Sequence, residues 1–191
     1  MNFSVPSHLP YPLWGVEISP EIELRSTHGA ALAQLGYTLI FEDCPAEALE
    51  VLSKALALRP ESSTIREWRA TCYLELGDYE QALADLTDVV SLNPKYATAY
   101  NNRGLCYLLM GRTTEALTDL NTCITLNPEH VIAYANRAHA YCNLRQLSLA
   151  LRSCNVGLAL DDTNEELLSV RRRVLEMLAT LEAGRQERDG H

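Results

Sequence analysis

Apolar residues recur at intervals of three and four along most of the chain, with charged and polar residues between them. The positions Leu83, Leu86 and Val90 are typical, since they place apolar side chains on one face of a helix. Pro94 and Pro128, which are 34 residues apart, each follow such a segment and cannot continue it. The pattern therefore predicts an all-α chain in which pairs of amphipathic helices repeat.

Windows of 34 residues align small side chains at their eighth and twentieth places, as two closely packed antiparallel helices require. These residues are Gly36, Ala70, Gly104 and Ala138, followed by Ala48, Ala82, Ala116 and Ala150. Gly77 and Gly111 mark the turn between the two helices. The expected boundaries are an N-terminal extension at 1–28 with a helix starting near 20, repeats at 29–62, 63–96, 97–130 and 131–164, and a capping helix with a polar tail at 165–191.

The succession of a small residue at place eight, Tyr at eleven, Gly at fifteen, Ala at twenty and Pro at thirty-two resembles the tetratricopeptide repeat. Windows 63–96 and 97–130 match it well, whereas 131–164 has Arg145 and Asp162 at the Gly and Pro places. The first window is degenerate, with Asp43 at the Gly place. The resemblance implies a right-handed α-solenoid of about four helix-turn-helix hairpins plus a C-terminal capping helix.

Charge and composition narrow the function. The formal net charge is −9, which gives no basic footprint for nucleic acid and favours a basic protein partner for the more acidic first half. The uncharged stretch at 26–41 is shorter than the roughly 20 apolar residues that span a bilayer, so we expect no membrane insertion. No Lys or Arg precedes Arg25, unlike a secretory signal, and the six cysteines form no C-x-x-C pair. We therefore expect a cytoplasmic protein.

The chain carries no motif that indicates catalysis. It has no G-x-S-x-G, no glycine-rich phosphate loop and no H-E-x-x-H. His139 and Cys142 lie three residues apart on one helix, but the neighbouring repeat offers only Leu105 and Leu108 at the facing places. We expect no enzyme activity, no cofactor and no metal.

The resemblance implies a concave groove lined by the first helix of each hairpin, and hence binding to other proteins. The places that line it hold Gln34, Tyr37, Trp68, Thr71, Asn101, Asn102, Leu105, Asn136 and His139, which we call the candidate groove. We expect an adaptor or assembly factor that holds an extended or helical segment of a partner. The alternatives are a chaperone for an unassembled client and a structural subunit of a larger complex.

Two groove variants of the family give different expectations. The one that grips the C-terminal carboxylate of heat-shock chaperones needs cations, and the matching places here hold none, so we reject it. The other uses a ladder of asparagines to bind a peptide backbone, and Asn102 and Asn136 match it. Trp68 departs from the ladder and is expected to give partner choice. The alternatives are solvated asparagines and a Trp68 side chain buried against the neighbouring helix.

Arginine recurs at the seventh place, where an apolar residue is more usual, and aspartate stands at the twenty-third place of the preceding helices. The residues are Arg69, Arg103, Arg137 and Arg171, with Asp85 and Asp119. We predict a structural ladder of ion pairs between repeats; the alternative is an anion-binding stripe.

The two ends of the chain carry separate expectations. Residues 1–16 are uncharged and proline-rich, and they either cover the apolar first helix, leave it to a partner, or form a loose docking peptide. A second partner contact through residues 1–18 follows from the last two alternatives. At the other end, Thr163 and Glu166 are spaced as a capping box that starts the last helix.

Overall fold

The fold is an α-solenoid, seen in a computed structural model that describes residues 20–189 and the side chains of residues 24–183. This part of the chain contains nine helices and no strand. They are α1 (Pro20–Phe41), α2 (Pro45–Leu58), α3 (Ser63–Leu76), α4 (Tyr79–Leu92), α5 (Ala97–Leu109), α6 (Thr113–Leu126), α7 (Val131–Asn143), α8 (Leu147–Leu160) and α9 (Glu165–Asp189). Each helix packs on the next in the order of the chain, which confirms the all-α repeat architecture. The expectations for residues 1–18 lie outside the described residues.

The turn inside each hairpin uses a left-handed residue at the same place of the window. Gly77 and Gly111 have φ angles of 81° and 75°, as glycine at the end of a helix permits. Asp43 and Arg145 hold the same place with φ angles of 58° and 59°. The turn therefore keeps its conformation where the glycine is missing, at the steric cost that a Cβ brings to this region.

A leucine at the twenty-fourth place explains why the eighth place is small. A Cβ added to Gly36 would lie 2.5 Å from Leu52 Cγ, and one added to Gly104 would lie 3.0 Å from Leu120 Cγ. Both leucines are fully buried. The second helix of each of these hairpins thus fills the space that the small residue of the first helix leaves.

The start of α9 differs from the expected capping box. Asn164 Oδ1 accepts a hydrogen bond from the Leu167 amide at 3.0 Å, so Asn164 caps the helix. Thr163 Oγ1 instead donates to Asp161 Oδ1 at 2.8 Å. The capping box of Thr163 and Glu166 is therefore wrong by one residue, because Asn164 lies directly before the first helical residue and offers an equivalent acceptor.

Five of the six cysteines are buried thiols in the core, and Cys44 is half-buried. Burial raises the pKa of Cys106 to about 12 and the pKa of Cys72, Cys123 and Cys154 to about 11. Because the thiolate is the reactive form, these four side chains are unreactive near neutral pH.

We expect iodoacetamide at pH 8 to alkylate Cys44 first and to leave Cys72, Cys106, Cys123 and Cys154 unmodified until the protein unfolds. Peptide mapping by mass spectrometry measures the order. Alkylation of Cys106 in the folded protein at the rate of Cys44 would contradict the burial.

The free energy of unfolding should also fall as the pH rises above roughly 8.5, since the unfolded chain releases its thiol protons first.

Candidate functional site

The candidate groove is built from the first helix of each hairpin. Helix α1 packs against α3, and α5 packs against α7. Gln34 and Tyr37 lie on α1, Trp68 and Thr71 on α3, the residues from Asn101 to Leu105 on α5, and Asn136 and His139 on α7. The structure brings these residues together in two parts, an aromatic part at α1 and α3 and a polar part at α5 and α7.

Stacked aromatic rings form the first part. The Trp68 and Tyr37 ring centroids are 4.7 Å apart with the planes tilted by 38°, and Tyr37 meets Phe41 edge-on at 4.8 Å. Trp68 is half-buried, so it is packed on one side and accessible on the other. With Gln34 it lines a cleft of about 300 Å³ between α1 and α3. Phe41, which is exposed, was missed because it ends the helix rather than occupying a groove place.

The asparagines of the second part bind one another. Asn136 Nδ2 donates to Asn101 Oδ1 at 3.0 Å, and Asn101 Nδ2 donates to Asn102 Oδ1 at 3.1 Å. Asn101 and Asn136 are only 4% and 5% exposed, whereas Asn102 is half-buried. The expected ladder of amides free to bind a peptide is thus replaced, at Asn136, by a hydrogen bond between α5 and α7, because a buried amide needs a partner. Asn102 is the most accessible of these three hydrogen-bonded asparagines.

His139 joins α7 to α9 at the far end of the candidate groove. Its Nε2 lies 3.2 Å from Glu166 Oε1, and Arg173 Nη2 lies 3.2 Å from its Nδ1. Leu105, Asn136, His139 and Glu166 share a second cleft of about 290 Å³. Sequence reasoning missed Glu166 as part of this cleft, since only the packing of α9 on α7 brings it there.

Glu67, which precedes Trp68, is held by a tyrosine at the end of the same repeat, directly before α5. Tyr96 Oη lies 2.8 Å from both carboxylate oxygens of Glu67, and Thr71 Oγ1 donates to the Glu67 carbonyl at 3.1 Å. Burial raises the pKa of Glu67, and the hydrogen bond from Tyr96 lowers it in part. Burial and the adjacent Glu67 raise the pKa of Tyr96 to about 12.

Replacing Tyr96 with phenylalanine is expected to raise the pKa of Glu67 further, because the carboxylate loses its donor and keeps its burial. An NMR titration of the Glu67 side-chain carbon measures the shift. Tyr100→Phe is the matched control, since Tyr100 donates to the Pro94 carbonyl. A lower or unchanged pKa in Tyr96→Phe would show that the hydrogen bond does not stabilise the charged form.

Two of the periodic arginines form ion pairs, but within hairpins rather than between them. Arg69 binds Asp85 through two hydrogen bonds of 2.7 Å, and Arg103 binds Asp119 at 2.7 and 2.8 Å. These hydrogen bonds are the main reason that the pKa of each guanidinium is raised. The predicted placement between repeats is therefore wrong: the seventh place of each first helix faces the second helix of its own window.

Arg137 and Arg171 depart from this pairing. Arg137 Nε donates to Ser153 Oγ at 3.1 Å, and its Nη1 donates to Asn121 Oδ1 of the preceding hairpin at 3.0 Å. Burial lowers the pKa of Arg137. Arg171 is exposed on α9 and pairs with no carboxylate in the part of the chain that the structure describes.

Comparison with known proteins agrees with this geometry. Sequence models described as tetratricopeptide repeat or TPR repeat match residues 42–86, 70–111 and 97–130. The chain belongs to the tetratricopeptide repeat family. No curated protein matches it in sequence.

Solved tetratricopeptide repeat structures share the fold at low sequence identity. A thermophilic TPR protein of Thermus thermophilus has a TM-score of 0.70 at 24% identity, over 81% of this chain and 84% of its own. MamA 41-end from Desulfovibrio magneticus RS-1 has a TM-score of 0.68 at 17% identity, over 85% of this chain and 97% of its own. The first TPR of Spaghetti (RPAP3), bound to the HSP90 peptide SRMEEVD, has a TM-score of 0.60 at 24% identity, over 61% of this chain and 93% of its own. At these identities the likeness is one of fold.

The described residues of the tetratricopeptide repeat array form neither a metal-binding cluster nor a membrane-spanning helix. Among the described residues, no three His, Cys, Asp or Glu side chains lie close enough together to hold a metal ion. No helix in residues 20–189 is both long and apolar enough to cross a bilayer.

Proposed function

We propose that the chain is a non-enzymatic adaptor or assembly factor whose candidate groove binds an extended or helical segment of a partner protein. The observation that carries the proposal is the pair of clefts, of about 300 and 290 Å³, at the two ends of the first-helix face. Gln34 and Trp68 line one, and Leu105, Asn136 and His139 line the other. A partner segment lying along this face would contact both.

The side chains of the candidate groove favour a segment with an apolar anchor. Trp68 and Tyr37 offer a rigid aromatic surface, the kind of contact that dominates interface energy. The nine candidate-groove residues include no Lys or Arg, and Glu67 lies beside Trp68. The net charge of −9 favours positive charge on the partner. We therefore propose an apolar segment with basic flanks, unlike the acidic peptide in the Spaghetti (RPAP3) structure.

A cytoplasmic location is part of the proposal. It is supported by the five buried cysteines, which are thiols rather than disulfides in the described residues.

Selection from a random peptide display library tests the function. We expect wild-type protein to enrich peptides with an aromatic or aliphatic anchor and basic flanks. Trp68→Ala should fail to retain them, and Asn102→Ala should retain them less well. Leu92→Ala is the matched control, because Leu92 is an exposed apolar residue on α4, outside the candidate groove. Enriched peptides that bind Trp68→Ala as well as wild type would contradict the proposal, and so would a library that enriches nothing.

A further inference from the structure

A third cleft, of about 270 Å³, lies in the fourth repeat and shares no residue with the candidate groove. Its polar lining is Arg137, Arg152 and Ser153, and its aromatic walls are Tyr134 and Tyr141. These side chains come from α7 and α8, so the cleft involves the second helix of the hairpin. No Asp or Glu lines it.

The second helix of this repeat has lost acidic side chains at the places that form the cleft. Ser153 stands where Asp85 and Asp119 pair with arginine in the two preceding repeats. Arg152 stands where those repeats have Ala84 and Thr118.

At two more places of α8 an apolar side chain stands where an earlier repeat has an acidic one. Leu149 stands where the preceding repeat has Glu115, and Val156 stands where the second repeat has Asp88. Both side chains line the cleft. The fourth repeat therefore combines a net gain of positive charge with new apolar walls at one surface.

Arg137 keeps hydrogen-bonding capacity that Arg69 and Arg103 use on a carboxylate. Its Nε and Nη1 donate to the neutral oxygens of Ser153 and Asn121. Nη2 donates to no other group in the described residues, although a guanidinium fits a carboxylate with two parallel hydrogen bonds. The half-buried cation thus lacks the negative partner that its counterparts have, and burial lowers its pKa accordingly.

We propose that this cleft binds a carboxylate side chain from an acidic segment of a partner protein. The Asp or Glu of that segment accepts a hydrogen bond from Nη2 of Arg137, which the described residues leave unused, with the exposed Arg152 beside it. The apolar residue next to the acid packs on Leu149 and Val156. The site is separate from the candidate groove, so a partner can engage it whether or not the groove is filled.

Titration with a small acidic peptide tests the proposal, with acetyl-Gly-Leu-Glu-Leu-Gly-amide as the probe. The side-chain Nε–Hε NMR signal of Arg137 is expected to shift saturably, and the Gln version of the peptide is expected to leave it in place. The Arg103 signal is the internal control, because Asp119 already occupies that guanidinium. No shift with the Glu peptide, or an equal shift with the Gln peptide, overturns the proposal.

Ser153→Asp supplies the missing carboxylate from within the chain. The variant should fold, since Asp85 and Asp119 fit at the same place. Its affinity for the Glu peptide should be about tenfold lower or more, as expected for losing a charge-assisted hydrogen bond. Arg152→Ala, a change on the surface, should also lower the affinity for the Glu peptide. Unchanged affinity in Ser153→Asp overturns the proposal. Inorganic phosphate that saturates the Arg137 shift at the same concentration as the peptide would assign a free-anion site and also overturn it.

Discussion

Replacing Arg103 with alanine is expected to lower the free energy of unfolding by about 3 to 5 kcal/mol, the cost of breaking a buried ion pair from one side. The Asp119 side chain is 6% exposed and the Arg103 side chain is 17% exposed, so little solvent screens the pair. Without Arg103 the Asp119 carboxylate loses both of its short hydrogen bonds and remains buried between α5 and α6. Urea denaturation followed by circular dichroism measures the loss.

Arg112→Ala is the matched control for this variant. Arg112 also binds a carboxylate, Glu115, at 2.9 Å, but both side chains are more than 40% exposed. Solvent-exposed pairs contribute little, so we expect no measurable change in stability. A loss below about 1 kcal/mol for Arg103→Ala, similar to that of the control, would mean that the hairpins do not depend on their ion pairs.

Replacing Trp68 with alanine is expected to weaken a peptide selected on the wild-type protein by about 2 kcal/mol or more, roughly thirtyfold, as for an interface hot spot. The variant removes the larger ring of the Tyr37–Trp68 stack and opens the cleft beside Gln34. Isothermal titration calorimetry measures the affinity, and circular dichroism checks that the helical content is kept. Trp68→Phe should recover part of the affinity, because it restores an aromatic surface.

Leu92→Ala again serves as the control and should bind the peptide with wild-type affinity. Wild-type affinity in Trp68→Ala would instead assign the half-buried indole to packing between α1 and α3. The alternative interpretation of Trp68 from the sequence, burial against a neighbouring helix, would then stand.

The hairpins could be predicted from the sequence because their determinants are local. Amphipathic spacing gives the helices, and a left-handed turn residue ends the first helix of each pair. Even Asp43 and Arg145, which carry a Cβ where the other two turns have glycine, could be placed by counting from Gly77 and Gly111. The small residues at the eighth place likewise indicate close packing before their partner leucines are known.

The partners of polar side chains could not be predicted in the same way. Asp85 lies sixteen residues after Arg69 and eighteen before Arg103, so spacing alone permits a pair within the repeat or between repeats. Only the packing of α3 on α4 decides between them. Glu166 and His139 present the same problem, because a residue at the start of a helix can cap that helix or reach another one.

The asparagines illustrate a further limit. Place and residue type assign Asn101 and Asn136 to the candidate groove, but the close approach of α5 and α7 buries both amides and makes them bind within the chain. Burial depends on the distance between helices, which a repeat pattern does not contain. Asn102, half-buried beside them, retains the character that the sequence predicts.

Photo-cross-linking of a selected peptide tests whether a partner segment binds along the candidate groove. A benzophenone placed at the apolar anchor of the peptide would be activated on the wild-type protein, and the cross-linked residues would be mapped by mass spectrometry. We expect attachment at α1 and α3 near Trp68, with attachment moving to α5 and α7 when the benzophenone is placed at the other end of the peptide. Attachment confined to α2, α4, α6 or α8 would contradict it.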